Sequence, residues 1–488
     1  MSLRTLLQST KVVAQRGALR RRPLARRRPT TRLQIEALED RFLLSGYVQT
    51  NLAADQPGVA QVHDPELVDA WGISINPAGT FWVSARATDV STVYSGDVTP
   101  PGEPFMPFIK RPLTVTIPGG APTGQVFNGS SDTFIVSAGG RSAPARFIFA
   151  SDTGHITAWN PGVPTGPVPP SRQAFIMAST PGAVYTGLAI DDLQDGKFLY
   201  AADFAGGKID IFDGNFAPIT LAGNFTDPDI PADYAPFNIW ELGGKLHVAY
   251  ARQENGDALP DGGRGFVSVF DLNGNLVSHL VDDGHLKEPW GLALAPADFG
   301  EFSGTLLVAN TANGKINAYD PTTGAFLGRL ADASGQTIHI QGLWALHFGN
   351  GTVSGDRNAL YFTAVGKNHD HGLFGSLRVA PPAAAAMAGP WNIDQVNDTA
   401  AVLLFGALSG EDKGGVFPEI TAYASRGGAA APDRDAVSPP SPQPSGDSSA
   451  PPDLAAAEDD SAVFDSLFSG DPLFGDSLWD QEWDTAPV

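Results

Sequence analysis

Cysteine is absent from all 488 residues, which excludes disulfides, thiolate nucleophiles, Cys-ligated zinc and Cys-held iron–sulfur clusters. Charge is scarce. Asp, Glu, Lys and Arg make up 17%, against roughly 25% in average chains, which argues against a long helical or coiled-coil protein. No apolar run reaches about 18 residues, so the sequence predicts no transmembrane helix. Turn-formers are plentiful instead: 55 Gly and 40 Pro favour many short strands over helices. With 42% hydrophobic residues a sizeable core is expected, and it is all-β.

The formal charge of −22 is unevenly spread: Met1–Gly46 carries +8, Tyr47–Ser425 −19 and Arg426–Val488 −11. Clustered guanidinium groups such as Arg20-Arg21-Arg22 and Arg26-Arg27-Arg28 neutralise phosphates elsewhere. Here the acidic body would repel a polyanion, so no nucleic-acid partner is predicted. The basic, acid-poor start reads instead as an export or sorting leader. Within it, Leu38-Glu39-Asp40-Arg41-Phe42-Leu43-Leu44-Ser45 resembles the LEPR-XLL sorting motif of bacterial exported proteins, with Asp40 where that motif has Pro. The resemblance implies an exported protein, extracellular, periplasmic or at the cell surface, that meets sorting machinery through this leader.

At the other end, Ala429–Ala457 is a Pro/Ser/Ala-rich linker composition. Ala462–Asp484 then alternates acid with Phe464, Phe468, Phe474, Trp479 and Trp483, the pattern of a peptide that docks on a partner or on its own domain.

Between these ends one unit recurs. Trp71-Gly72-Ile73, Thr123-Gly124-Gln125, Thr186-Gly187-Leu188, Phe237-Asn238-Ile239, Trp290-Gly291-Leu292 and Gln341-Gly342-Leu343 each open an alternating apolar stretch. Taking the second residue of each as its start, four of the five steps between units are 51 to 53 residues, and the second step is longer, at 63. Period-two patterning with Gly, Pro and Asp turns predicts four antiparallel strands per unit. Six such units predict a six-bladed β-propeller. Tyr47–Leu52 is expected to close the ring as the outer strand of the last blade. The predicted division is a basic leader over 1–46, a propeller over 47–380, a C-terminal extension over 381–425 and a disordered linker with acidic aromatic tail over 426–488.

His63-Asp64-Pro65-Glu66-Leu67-Val68-Asp69-Ala70-Trp71-Gly72-Ile73, Ser142–Ala150, Pro289-Trp290-Gly291-Leu292-Ala293-Leu294-Ala295-Pro296 and His371–Leu377 resemble a family of uncharacterised bacterial exported proteins related to the NHL-repeat propellers. Some members end in a PEP-CTERM tail, which the acid and aromatics here replace. The resemblance implies a six-bladed fold and an exported address, and no activity.

Propellers bind ligands where loops entering the inner strands meet loops leaving the second strands. Second-strand ends align at Ala85-Arg86, Ala138-Gly139, Ala202-Asp203, Ala251-Arg252, Ala309-Asn310 and Ala364-Val365, and the residues beside the recurring inner-strand turn are Asp69, Thr123, Thr186, Asn238, Glu288 and Gln341. Together they predict a polar ring of Arg86, Asp203, Asn238, Arg252, Glu288 and Asn310 at one channel mouth. Asp203, Asn238, Glu288 and Asn310 offer oxygens of the kind Ca²⁺ takes, and Ca²⁺ so held would serve a lactonase- or esterase-like hydrolase. The competing reading is that Asp and Asn cap turns in every blade. No catalytic motif is found. His369-Asp370-His371 offers two imidazoles without a third ligand. Trp71, Trp240, Trp290 and Trp344 read as blade-to-blade packing, one of them able to stack on a sugar. The reading favoured at this level is a monomeric binding scaffold for a protein or glycan, with no cofactor required.

Overall fold

Alternating apolar residues and frequent turns build short antiparallel strands throughout the computed structural model, which describes residues 46–163, 170–191, 198–259, 264–366 and 368–380. The sequence assignments over 1–45, 381–425 and 426–488 lie outside the described residues. Among the described residues the helices are two short 3₁₀ turns, and none is long and apolar enough to cross a membrane.

Six sheets form the blades of a β-propeller. Blade 1 runs outward through Ala70–Ile75, Phe81–Ala85, Val90–Ser95 and Ile109–Thr116. Blade 2 uses Pro122–Phe127, Phe147–Ser151, His155–Trp159 and Phe175–Ser179. Blade 3 has Tyr185–Ile190, Phe198–Asp203, Lys208–Asp213 and Pro218–Ile219. Blade 4 has Tyr234–Glu241, Leu246–Glu254, Phe266–Phe270 and Leu276–Val281, and blade 5 has Pro289–Leu294, Leu306–Asn310, Lys315–Tyr319 and Phe326–Arg329. Blade 6 joins Leu343–Phe348, Leu360–Val365 and Gly372–Val379 to Tyr47–Ala54, which pairs antiparallel from Tyr47 with Val379 to Ala54 with Leu373. The closing strand is thus the expected one, two residues longer than predicted.

Each blade buries its faces on its neighbours. Between blades 1 and 2, Trp82 stacks on Phe147 at 4.1 Å and meets Trp159 at 4.8 Å. Truncating a ring buried in this way costs about 3–5 kcal/mol. At the seam of blades 6 and 1, the Tyr361 hydroxyl donates to Asp97 Oδ2 at 2.7 Å and Arg378 pairs with the same carboxylate at 2.9 Å. Near the axis the inner strands crowd so closely that a methyl on Gly72 would strike the Thr123 carbonyl, and one on Gly291 the Trp344 carbonyl.

That packing corrects the repeat register twice. Because Trp344 occupies the place that Thr123 takes beside Gly72, the repeat position in blade 6 is Ala345, three residues beyond the expected Gly342. Gly342 instead matches Asp69, Ala121 and Glu288, which all take left-handed φ between 48° and 66° three residues before the close-packed position. In blade 2 the second strand is Phe147–Ser151. Ile135–Ala138, aligned there from sequence, pairs with Arg141–Pro144 in a separate hairpin inserted before it. This inserted hairpin contributes to the long spacing of 63 residues between the first strands of blades 2 and 3.

Candidate functional site

Inner strands begin, and second strands end, at the same face of an antiparallel blade, so side chains from both borders converge on one channel mouth. There lies a cavity of about 570 Å³. Its floor is built from the residues that precede the close-packed inner-strand positions. Trp71 and Trp344 stack with centroids 3.7 Å apart, and Trp290 meets both edge-on at 6.3 and 5.6 Å. Phe237 continues the floor 5.6 Å from Trp344, and Phe204 lies 4.8 Å from Phe237. The Trp290 indole N–H donates across the channel mouth to the Thr186 carbonyl at 3.0 Å. Phe237, rather than the expected Trp240, fills this position in blade 4. Trp240 lies at the opposite face, lining a smaller cavity of about 180 Å³ with His347.

One wall is a charged network. Arg86 donates from Nη1 to Asp69 Oδ2 at 2.9 Å and from Nε to Asp152 Oδ2 at 2.7 Å, with a second, shorter bond from Nη2 to Asp152. Burial opposes its charge, but the hydrogen bond to Asp69 and the field and hydrogen bond of Asp152 prevail and raise its pKa. Asp69, only 1% exposed, also accepts from the Trp71 indole at 2.8 Å, and its Oδ1 lies 2.8 Å from His369 Nδ1. The guanidinium carbon sits 5.5 Å from the Trp71 ring centroid, a cation–π arrangement. Glu288, Thr311, Gln341, Asp257 and His369 complete the rim, with the Thr311 hydroxyl donating to Glu288 Oε2 at 3.2 Å.

Of the six residues predicted for the ring, Arg86 and Glu288 line this cavity. Asp203 Oδ1 accepts the backbone N–H groups of Val184 and Gly206, and Asn310 Oδ1 accepts that of Lys287. Asn238 is buried between blades 4 and 5, donating to the Trp290 carbonyl at 2.7 Å. Arg252 pairs with Asp233 at 2.8 Å. Asp203, Asn310 and Asn238 thus serve turns and blade seams, and of the four oxygen donors proposed for Ca²⁺ only Glu288 reaches the cavity. Among the described residues, the side-chain cluster with three grouped metal-ligand types is Asp227, Asp229 and His279 on blade 4, where Asp227 Oδ2 already lies within 2.7 Å of both Ser268 Oγ and His279 Nδ1. The two imidazoles of His369-Asp370-His371 serve different acids: His369 faces Asp69, and His371 Nδ1 lies 2.8 Å from Asp55 Oδ2.

Sequence alignment missed Asp152 because the inserted hairpin displaced blade 2's true second-strand end. It noted Asp69 beside the inner strand without its link to Arg86.

The chain is 31% identical over 340 residues to uncharacterized protein R648 of Acanthamoeba polyphaga mimivirus, a match covering 67% of this chain and 78% of that one. A second mimivirus protein, uncharacterized protein L690, is 29% identical over 334 residues, covering 64% and 81%. These relatives are viral, whereas the resemblance read from sequence pointed to bacterial exported proteins. Among solved structures the chain is similar to virginiamycin B lyase from Staphylococcus aureus, at 11% identity and a TM-score of 0.37 over 68% of this chain and 99% of that one. It is also similar to a glutaminyl cyclase from Myxococcus xanthus, at 15% identity and a TM-score of 0.28 over 53% and 97%. No protein-family model matches the chain.

Proposed function

The chain belongs to the family that includes the mimivirus protein R648, and from that premise we propose that it is an exported, monomeric binding propeller whose channel-mouth cavity holds a sugar residue of a glycan. The carrying observation is an aromatic floor ringed by planar polar groups. Trp71, Trp344 and Phe237 give the apolar surface, while Arg86, Glu288, Gln341 and His369 present donors and acceptors above it. A ligand that is apolar on one face and hydroxylated at its edge meets both demands, and the cavity falls within the roughly 300–1,000 Å³ of small-ligand sites. Export rests on the sequence: the basic leader, the Leu38–Ser45 motif and the resemblance to exported propellers. Asp203 Oδ1 and Asn310 Oδ1 accept backbone amides, which weighs against the calcium-dependent hydrolase reading.

Titrating the full chain with oligosaccharides while following indole fluorescence and melting temperature tests this reading. Binding should shift both signals, and Gln341→Ala should weaken it. A broad glycan panel that moves neither signal would overturn it.

A further inference from the structure

We propose that the smaller cavity, at the opposite face of the propeller, is a docking site for this chain's own C-terminal tail, and that the indole of Trp479 fills it. Inner strands end at that face, and Ile73, Ile75, Leu188, Ile190 and Trp240 from their ends give the cavity of about 180 Å³ its apolar walls. That volume lies below the roughly 300–1,000 Å³ of small-ligand sites, whereas an apolar cavity of about 150 Å³ holds a benzene ring. The occupant it fits is one side-chain ring system. Leu294, which ends blade 5's inner strand at the same mouth, is 46% exposed and extends the apolar surface.

Two polar groups in the wall add a chemical demand. Ser74 Oγ, in a residue 5% exposed, has no hydrogen-bond partner among the described residues. His347 Nδ1 lies 2.6 Å from the Phe348 carbonyl, which can only accept, so the proton sits on Nδ1 and Nε2 is an acceptor. Burial lowers the His347 pKa and keeps the ring neutral at pH 7. An apolar ring with a single N–H donor meets these acceptors, which an indole supplies and a phenyl ring does not.

The chain itself leads to this face. Gly372–Val379 runs antiparallel to Leu360–Val365, which runs antiparallel to Leu343–Phe348, so the chain leaves blade 6 on the side where the inner strands end. Trp479 follows Ala380 by 99 positions, and at up to about 3.3–3.6 Å per residue that length is ample to reach the cavity. Trp479 stands between Leu478 and Asp480, whereas Trp483 stands between Glu482 and Asp484 and would bring a second acid to Glu241. Lys245 offers Asp480 a cation: it is exposed in the tight turn after Glu241, where the Leu242 N–H donates to the Lys245 carbonyl at 2.9 Å. Body and tail are both acidic, so the ring and the tether, rather than overall charge, carry the contact.

The absence of native cysteine makes disulfide trapping in the full chain a clean test. Pro77→Cys, exposed at the cavity rim, is combined with Gln481→Cys, and the control combines Gln481→Cys with Ala312→Cys, exposed at the other channel mouth. Under mild oxidation the first pair should form an intrachain disulfide at least fivefold faster than the control, and adding Trp479→Ala should remove the difference. Ala78→Cys, on the same loop, replaces Pro77→Cys if the latter lowers the melting temperature. Equal rates for the two pairs would leave the cavity to an outside partner and overturn the proposal. A difference that survives Trp479→Ala would also overturn it, as would a disulfide that forms only between chains, at a rate rising with concentration.

Discussion

Arg86 and Asp152 stand 66 positions apart and on adjacent blades, yet the guanidinium donates from Nε to the carboxylate at 2.7 Å while its other arm holds Asp69 at 2.9 Å. This pairing ties blades 1 and 2 at the channel mouth and keeps the nearly inaccessible Asp69 beside Trp71 and His369. Arg86→Met should therefore leave a buried carboxylate without its cation. We expect a loss of about 1.5–3 kcal/mol, the range for hydrogen bonds to charged groups, read from urea unfolding midpoints. Arg86→Lys keeps the charge but not the fork and should recover only part. An unchanged midpoint for both would mean that the pair carries no stability.

Close approach at the axis makes a second prediction. The methyl of Gly291→Ala has no room against the Trp344 carbonyl, so the inner strands of blades 5 and 6 must part. Overpacking of this kind costs about 1–3 kcal/mol. Melting temperature should fall, and any ligand response at the cavity should weaken with it, because Trp344 supports the floor. A variant as stable as the parent would refute this packing.

Acid should weaken the fold through His247. Burial, chiefly, pushes its pKa from 6.5 down to about 4, so between those values the unfolded chain binds a proton that the folded one refuses. Stability from this group is therefore complete above pH 6.5 and is lost as pH falls toward 4. At roughly 1.4 kcal/mol per pKa unit, the contribution is on the order of 3 kcal/mol. Unfolding free energies measured across that window should slope upward with pH, and His247→Leu should flatten the slope. Equal slopes would assign the acid sensitivity elsewhere.

Calcium offers a fourth test. With Asp203 and Asn310 engaged by backbone amides, millimolar Ca²⁺ followed by EDTA should leave the melting temperature of the full chain unchanged. A rise reversed by EDTA would restore the metal-dependent hydrolase reading and direct mutagenesis to Glu288.

Much of the architecture was legible because it is written locally. Period-two patterning, Gly and Pro turns and the repeat spacing predict the four strands per unit that blade 5 shows, and Tyr47 was identified as the start of the closing strand. The errors arose where local pattern is ambiguous. Val136-Ser137-Ala138 alternates like a second strand and is a hairpin, and Gly342 looks like the close-packed glycine while serving the left-handed turn before it.

The site was far less legible. Arg86 and Glu288 were found through repeat equivalence, but Asp203 and Asn310, equivalent by the same rule, point their oxygens into turns. Nothing in a repeat position says whether a carboxylate faces solvent, backbone or cavity.

By itself the sequence determined a six-bladed ring closed by its own first strand, because strand, turn and repeat signals act over a few residues and add up along the chain. Tertiary structure alone decided which groups meet at the mouth. Asp69 and His369 lie 300 positions apart, and Trp71 and Trp344 come from the first and last blades. They touch because ring closure sets those blades side by side, a constraint on distance in space that no spacing along the chain records.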